Sequence, residues 1–137
     1  MNDPAIPSPA VVKIAEAIAI AEGFFVPDSI PNRYNNPGDI EEAGTKVNYL
    51  TIQDGWNALY RQIEMMIDGR SHIYNPNMQW TTIGKLYTGE QTYMNWVENV
   101  CRILQVSVTS TLAAYCENFG KLEVTINDEL ILGDKVN

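Results

Sequence analysis

Three stretches of this chain hold side chains whose types and spacing could do chemistry. The first is Ala21-Glu22-Gly23-Phe24-Phe25, where an acid follows an apolar run. Val11, Ile14, Ile18, Glu22 and Phe25 follow one another at spacings of three and four, which sets one face of a helix. On that wheel Glu22 falls about 40° from Ile18, while Glu16 lies roughly 120° away and points to water. A carboxyl desolvated by Phe24, Phe25 or a neighbouring aromatic has its neutral form favoured. A general acid working near neutral pH needs that property. The plainer alternative is a helix-end Glu that leans into solvent or pairs with Arg33.

The second stretch is Arg33-Tyr34-Asn35-Asn36-Pro37-Gly38. Asn amides donate and accept, which suits hydroxyl and acetamido groups. Tyr offers a flat apolar face and a hydroxyl to a sugar ring. The same residues are also ordinary turn chemistry. The third set is Tyr74, Trp80, Tyr87 and Tyr93, in or beside a loop over 70–80, where a sugar-stacking cleft would use them. A second carboxylate would separate mechanisms, because glycosidases commonly use two, roughly 5–9.5 Å apart. Asp54 reads as a helix-start residue, and Glu41 and Glu42 as turn residues in solvent. Asp39 is the remaining candidate, beside the Asn-rich loop.

Other chemistries find no support. His72 reads as a surface histidine, and no G-x-S-x-G nucleophile elbow occurs. Gly-rich phosphate loops are absent from the sequence. Cys101 and Cys116 fall on apolar helix faces and read as reduced core residues. With one His beside them, a structural zinc site is not expected. The formal charge of −8 argues against nucleic acid, whose affinity comes from Lys and Arg on phosphates, and against an anionic membrane surface. It suits a neutral ligand. No apolar run approaches the ~18 residues of a membrane span. The N-terminal residues lack the basic start and apolar stretch of a signal peptide, so the expectation is synthesis in a cytoplasm without that export route.

The elements that must position these residues are mostly helical. The 137 residues, 45% of them hydrophobic, fit one domain with a core. Residues 1–8 form a proline-rich lead-in, and Ser8-Pro9 starts a helix that Gly23 stops. Residues 26–37 read as loop. Residues 38–40 and 47–50 flank a turn at 41–45 in a small hairpin. Thr51 to Asp54 open a helix with Trp56, Leu59, Tyr60, Ile63 and Ile67 inward, closed by Gly69. A short helix starts at Thr81 or Thr82 and ends at Gly89. Tyr93, Trp96, Val97, Val100 and Leu104 mark the next, with Trp96, like Trp56, in the core. Ser110 caps another, with Leu112, Tyr115, Cys116 and Phe119 inward. The tail over 121–137 reads as a strand or hairpin of unknown role. The fold class expected is α+β, mainly α.

At these residues the chain resembles a known family. Ala19-Ile20-Ala21-Glu22-Gly23-Phe24, then Ser29-Ile30-Pro31-Asn32-Arg33-Tyr34-Asn35-Asn36-Pro37-Gly38-Asp39-Ile40, is similar to the phage and prophage lysozyme-like proteins of lytic transglycosylase type. Asp54-Gly55-Trp56-Asn57-Ala58-Leu59-Tyr60-Arg61-Gln62-Ile63 continues the likeness, as do Gly69-Arg70-Ser71, Tyr74, Tyr87 and Leu104-Gln105-Val106-Ser107. It covers about residues 10–112. Asp39 stands where the family has Asn, and Tyr34 where a small or polar residue is common. The resemblance implies a lysozyme-like fold, with a helical lobe, a small β-hairpin region and a cleft between them. It implies cofactor-free cleavage of the β-1,4 bond between N-acetylmuramic acid and N-acetylglucosamine in peptidoglycan. Glu22 maps onto the family's single acid/base, whose product is a 1,6-anhydro end. Asn35, Asn36 and Tyr87 would lie near it, and Arg33, Tyr34 and Tyr74 would complete the glycan cleft. A hydrolytic muramidase using Asp39, and a glycan-gripping virion module without chemistry, are the alternatives. Action on the cell wall, alone or with other virion proteins, is what the resemblance implies about place and partners.

Overall fold

Ser8 and Pro9 begin the first helix as their chemistry requires. The Ser8 hydroxyl accepts from the Val11 amide at 3.3 Å, and Pro9 occupies a position with no amide to satisfy. This helix, α1, spans Pro9–Ala21 in the computed structural model of the chain, which describes residues 6–89 and 91–120. The expected tail element over 121–137 lies outside the described residues. Ile14 and Ile18 are fully buried on α1, and each contributes roughly 1.5–3 kcal/mol of transfer free energy. Glu22 caps the helix. Gly23 follows with φ +79°, a left-handed conformation that favours glycine. Its amide returns to the Ile20 carbonyl at 3.1 Å, and that of Phe24 to Ala19 at 3.0 Å. The reversal breaks the helical period. Phe24 therefore turns inward and Phe25 stays 58% exposed, which corrects the expectation that Phe25 shares the buried face.

The stretch read as loop contains one helical turn, α2 (Ile30–Arg33), with Ser29 as its cap. It is too short to show a period, but Ser29-Ile30-Pro31 carries the same cap-and-proline chemistry as Ser8-Pro9. The hairpin is present with a tighter turn than expected. Its strands, β1 (Glu41–Glu42) and β2 (Thr45–Lys46), pair antiparallel with Glu41 opposite Lys46. Ala43 and Gly44 alone make the turn, both at positive φ, as a two-residue primed turn needs.

Helix α3 (Ile52–Asp68) opens on Thr51, whose hydroxyl accepts from the Asp54 amide at 3.1 Å, and closes on the left-handed Gly69. Helices α4 (Trp80–Thr88) and α5 (Tyr93–Leu104) follow, and residues 112–120 are also helical. Helix α1 packs on α3 and α5, and α4 packs on α5. One apolar cluster joins them through Ile14, Ile18, Leu59, Ile63, Ile83 and Val97. Trp80 belongs to this cluster and is fully buried, so it is a core residue and no part of a sugar-stacking loop. The architecture is mainly helical, with one small antiparallel sheet. Among the described residues no helix is long and apolar enough to cross a membrane.

Candidate active site

Glu22 takes its position from the end of α1, and its surroundings from three other elements. Its Oε2 accepts from the indole Nε1 of Trp96, on α5, at 2.8 Å. Trp96 stacks on Tyr87 of α4, with ring centroids 5.0 Å apart and planes at 26°. The Tyr87 hydroxyl donates to the Gly38 carbonyl. A chain of contacts thus ties the acid to the loop before the hairpin. Trp96 had been expected in the core, and at 4% exposure it is buried. A buried indole N–H commonly finds an acceptor, but no feature of the sequence says that the acceptor of Trp96 is Glu22.

Burial is the main reason the Glu22 carboxyl is pushed up to about 7. The charge of Asp39 adds to this. The Trp96 hydrogen bond and the Lys46 charge pull the other way. A position at a helix C-terminus, where the dipole is negative, also disfavours the carboxylate. Trp96→Phe keeps an aromatic ring against Tyr87 but removes the N–H that favours ionised Glu22. Its expected result is a Glu22 titration midpoint about one pH unit higher, read by carboxyl carbon NMR.

Asn36 explains how Asp39 reaches this site. It has no exposed surface. Its Nδ2 donates to the carbonyls of Ile40 at 3.0 Å and Val47 at 2.9 Å, and its Oδ1 accepts from the Ile40 amide at 2.9 Å. These bonds fasten the loop to the base of the hairpin. Asp39, at φ +50°, is held in the bend between them. The expectation that Asn36 contacts glycan is therefore corrected, because its amide is buried and committed to backbone. Asn35 is half-buried and donates to the Tyr49 carbonyl at 3.0 Å, a second brace. Arg33 is exposed and forms no ion pair with Glu22.

A cleft of about 1000 Å³ opens between the hairpin, α3, the loop over 71–74 and the end of α4. Asp39, Tyr74 and Tyr87 line it, as the sequence suggested for a site. Arg33, Tyr34, Asn35 and Asn36 do not, because their loop braces the hairpin from outside the cleft. Lys46, Tyr49, Arg61 and Gln62 line it without having been anticipated. Arg61 and Gln62 lay on the polar face of α3, where nothing distinguishes a cleft from solvent. Glu22 and Trp96 stand outside the lining, although Glu22 is partly exposed. Glu22 nonetheless acts on two lining groups. It feels the charge of Asp39, and its own charge adds to the burial that pushes the Tyr74 phenol up to about 12. The carboxyl is therefore coupled electrostatically to groups of the cleft wall. The arrangement can deliver a proton near neutral pH beside aromatic faces and a mixture of charged and neutral polar groups. No family model, curated protein or solved structure matches the chain.

Proposed function

We propose that this chain is a lysozyme-like, cofactor-free peptidoglycan lytic transglycosylase, with Glu22 as its acid/base. The observation that carries this reading is the carboxyl of Glu22, poised at about 7 against a cleft lined by Tyr49, Tyr74 and Tyr87. In the first step Glu22 protonates the glycosidic oxygen as the bond to the muramic anomeric carbon breaks. Its carboxylate then takes the proton of the muramic C6 hydroxyl as that oxygen bonds to the anomeric carbon. The proton given is the proton recovered, and a 1,6-anhydro end results.

The alternative is hydrolysis by a muramidase, with Asp39, which lines the cleft, as the second carboxylate. Mass spectrometry of muropeptides released from purified walls tests the reading. Anhydro ends are the expected result, and reducing ends would instead identify a muramidase. Glu22 standing outside the cleft lining favours one further reading, a module that grips glycan without cutting it. Wall binding with no fragment released between pH 5 and 8 would point there. Action on the wall as a phage or virion component follows from the same proposal.

A further inference from the structure

We propose that Arg61 reads a carboxylate carried by the muramic acid residues of the glycan, so that the cleft prefers chains whose side substituents are anionic. The inference rests on the glycan reading of the cleft and adds which chemical form of the wall it takes. The cleft is polarised across its width. Asp39, Glu41 and Glu42 line it from the hairpin and the bend before it, while Arg61 and Gln62 line it from α3. Lys46, the lysine of the lining, is already committed. Its Nζ meets Asp39 Oδ2 and Glu41 Oε1, each at 2.8 Å.

Arg61 is in the opposite condition. It is exposed, and among the described residues it has neither an ion pair nor a hydrogen bond. Most other cations of the fold are engaged. Lys13 pairs with Glu16, Arg70 with Asp68, Arg102 bonds Asn99, and Lys85 lies over the Tyr93 ring. Arg33 is unpaired but stands outside the cleft. Arg61 is thus the uncommitted guanidinium of the site. Its planar fork of N–H donors matches a carboxylate in two parallel hydrogen bonds. The facing wall has the reverse effect, because Glu42 forms no ion pair among the described residues and repels an anion together with Asp39 and Glu41. An anionic substituent therefore settles on the α3 side, while the tyrosines take uncharged ring faces. Two groups supply that chemistry. One is the lactyl carboxylate of muramic acid where no peptide is attached, and the other is a carboxylate of the peptide stem.

Binding to four soluble glycan preparations tests the assignment. The chains either carry peptide stems or lack them, and each kind is prepared with free carboxylates and with the carboxylates converted to amides. The full chain carries Glu22→Gln, so that binding is measured without turnover. Adding Arg61→Gln is expected to weaken binding of a free-carboxylate chain about fivefold, the upper end for an exposed ion pair, and to leave binding of its amide unchanged. The difference is expected to vanish in about 1 M salt, where charges are screened beyond roughly 3 Å. Whether it occurs with stem-bearing or stem-free chains identifies the carboxylate. Equal weakening of acid and amide, or weakening of neither, overturns the inference. Anhydro ends released by the unsubstituted chain with no Arg61 effect on binding would remove this inference and leave the proposed reaction. The Arg61 effect with no cleavage at any pH would remove the reaction and leave the inference, and binding to none of the four would remove both.

Discussion

Glu22→Gln is expected to lower muropeptide release about 10²–10⁴-fold, the range for removing a general acid, with the fold retained. Gln has the shape of the protonated acid. Its oxygen can accept from Trp96. What it lacks is a proton to give. Stability is expected to move the other way. Folded Glu22 holds its proton to about 7, against an ordinary value of 4.5. Between those values the folded state binds more protons than the unfolded one, so stability falls as pH rises and stays reduced above 7. The full cost is about 3 kcal/mol. Gln never ionises, so the variant should match wild type near pH 4 and exceed it by up to about 3 kcal/mol at pH 8. Urea unfolding at the two pH values, alongside mass spectrometry of wall digests, reads both effects. Retained activity would sink the acid assignment. Equal stability at pH 8 would sink the raised pKa.

What the sequence disclosed of this site follows from the range of each interaction. Glu22 on the apolar side of α1 was legible because helical period is a local property. The caps at Ser8, Thr51 and Gly69 were legible for the same reason, and all three occur. Asn36 was misread because an Asn in a turn looks the same whether its amide faces ligand or backbone. Only the fold shows that the Ile40 and Val47 groups surround it. Trp96 was half-read. Its place on an apolar helix face was correct, but the partner of its N–H lies 74 positions away. Asp39 was singled out as a second carboxylate. Its bond to Lys46 spans a hairpin whose two-residue turn the sequence reading had made too long, and so the pair stayed hidden.

Gly55→Ala is expected to cost about 3 kcal/mol, at the upper end for overpacking. The sign is the informative part, since Ala inside a helix ordinarily gains about 1 kcal/mol over Gly. Gly55 lies in the first turn of α3, where the loop carrying Asn35 crosses it. A Cβ there would stand 1.8 Å from the Asn35 carbonyl oxygen and 2.9 Å from Pro37 Cδ. The obstacle is backbone, so no side chain can swing aside. The loop itself is fastened by the three bonds of the Asn36 amide and by the Tyr49 amide on the Tyr34 carbonyl at 2.9 Å. Relief therefore requires the loop to lift as a unit. Asp39 lies on that loop, so lifting it separates Asp39 from Glu22 and lowers the Glu22 midpoint. A drop in urea midpoint together with a lower Glu22 titration would show that the glycine serves the site through the loop. A stability gain would mean that the loop is not seated against α3 as described. The short motif Asp54-Gly55-Trp56 thus has a physical reason independent of any resemblance. The helix must let the backbone of the loop that carries Asp39 pass at contact distance.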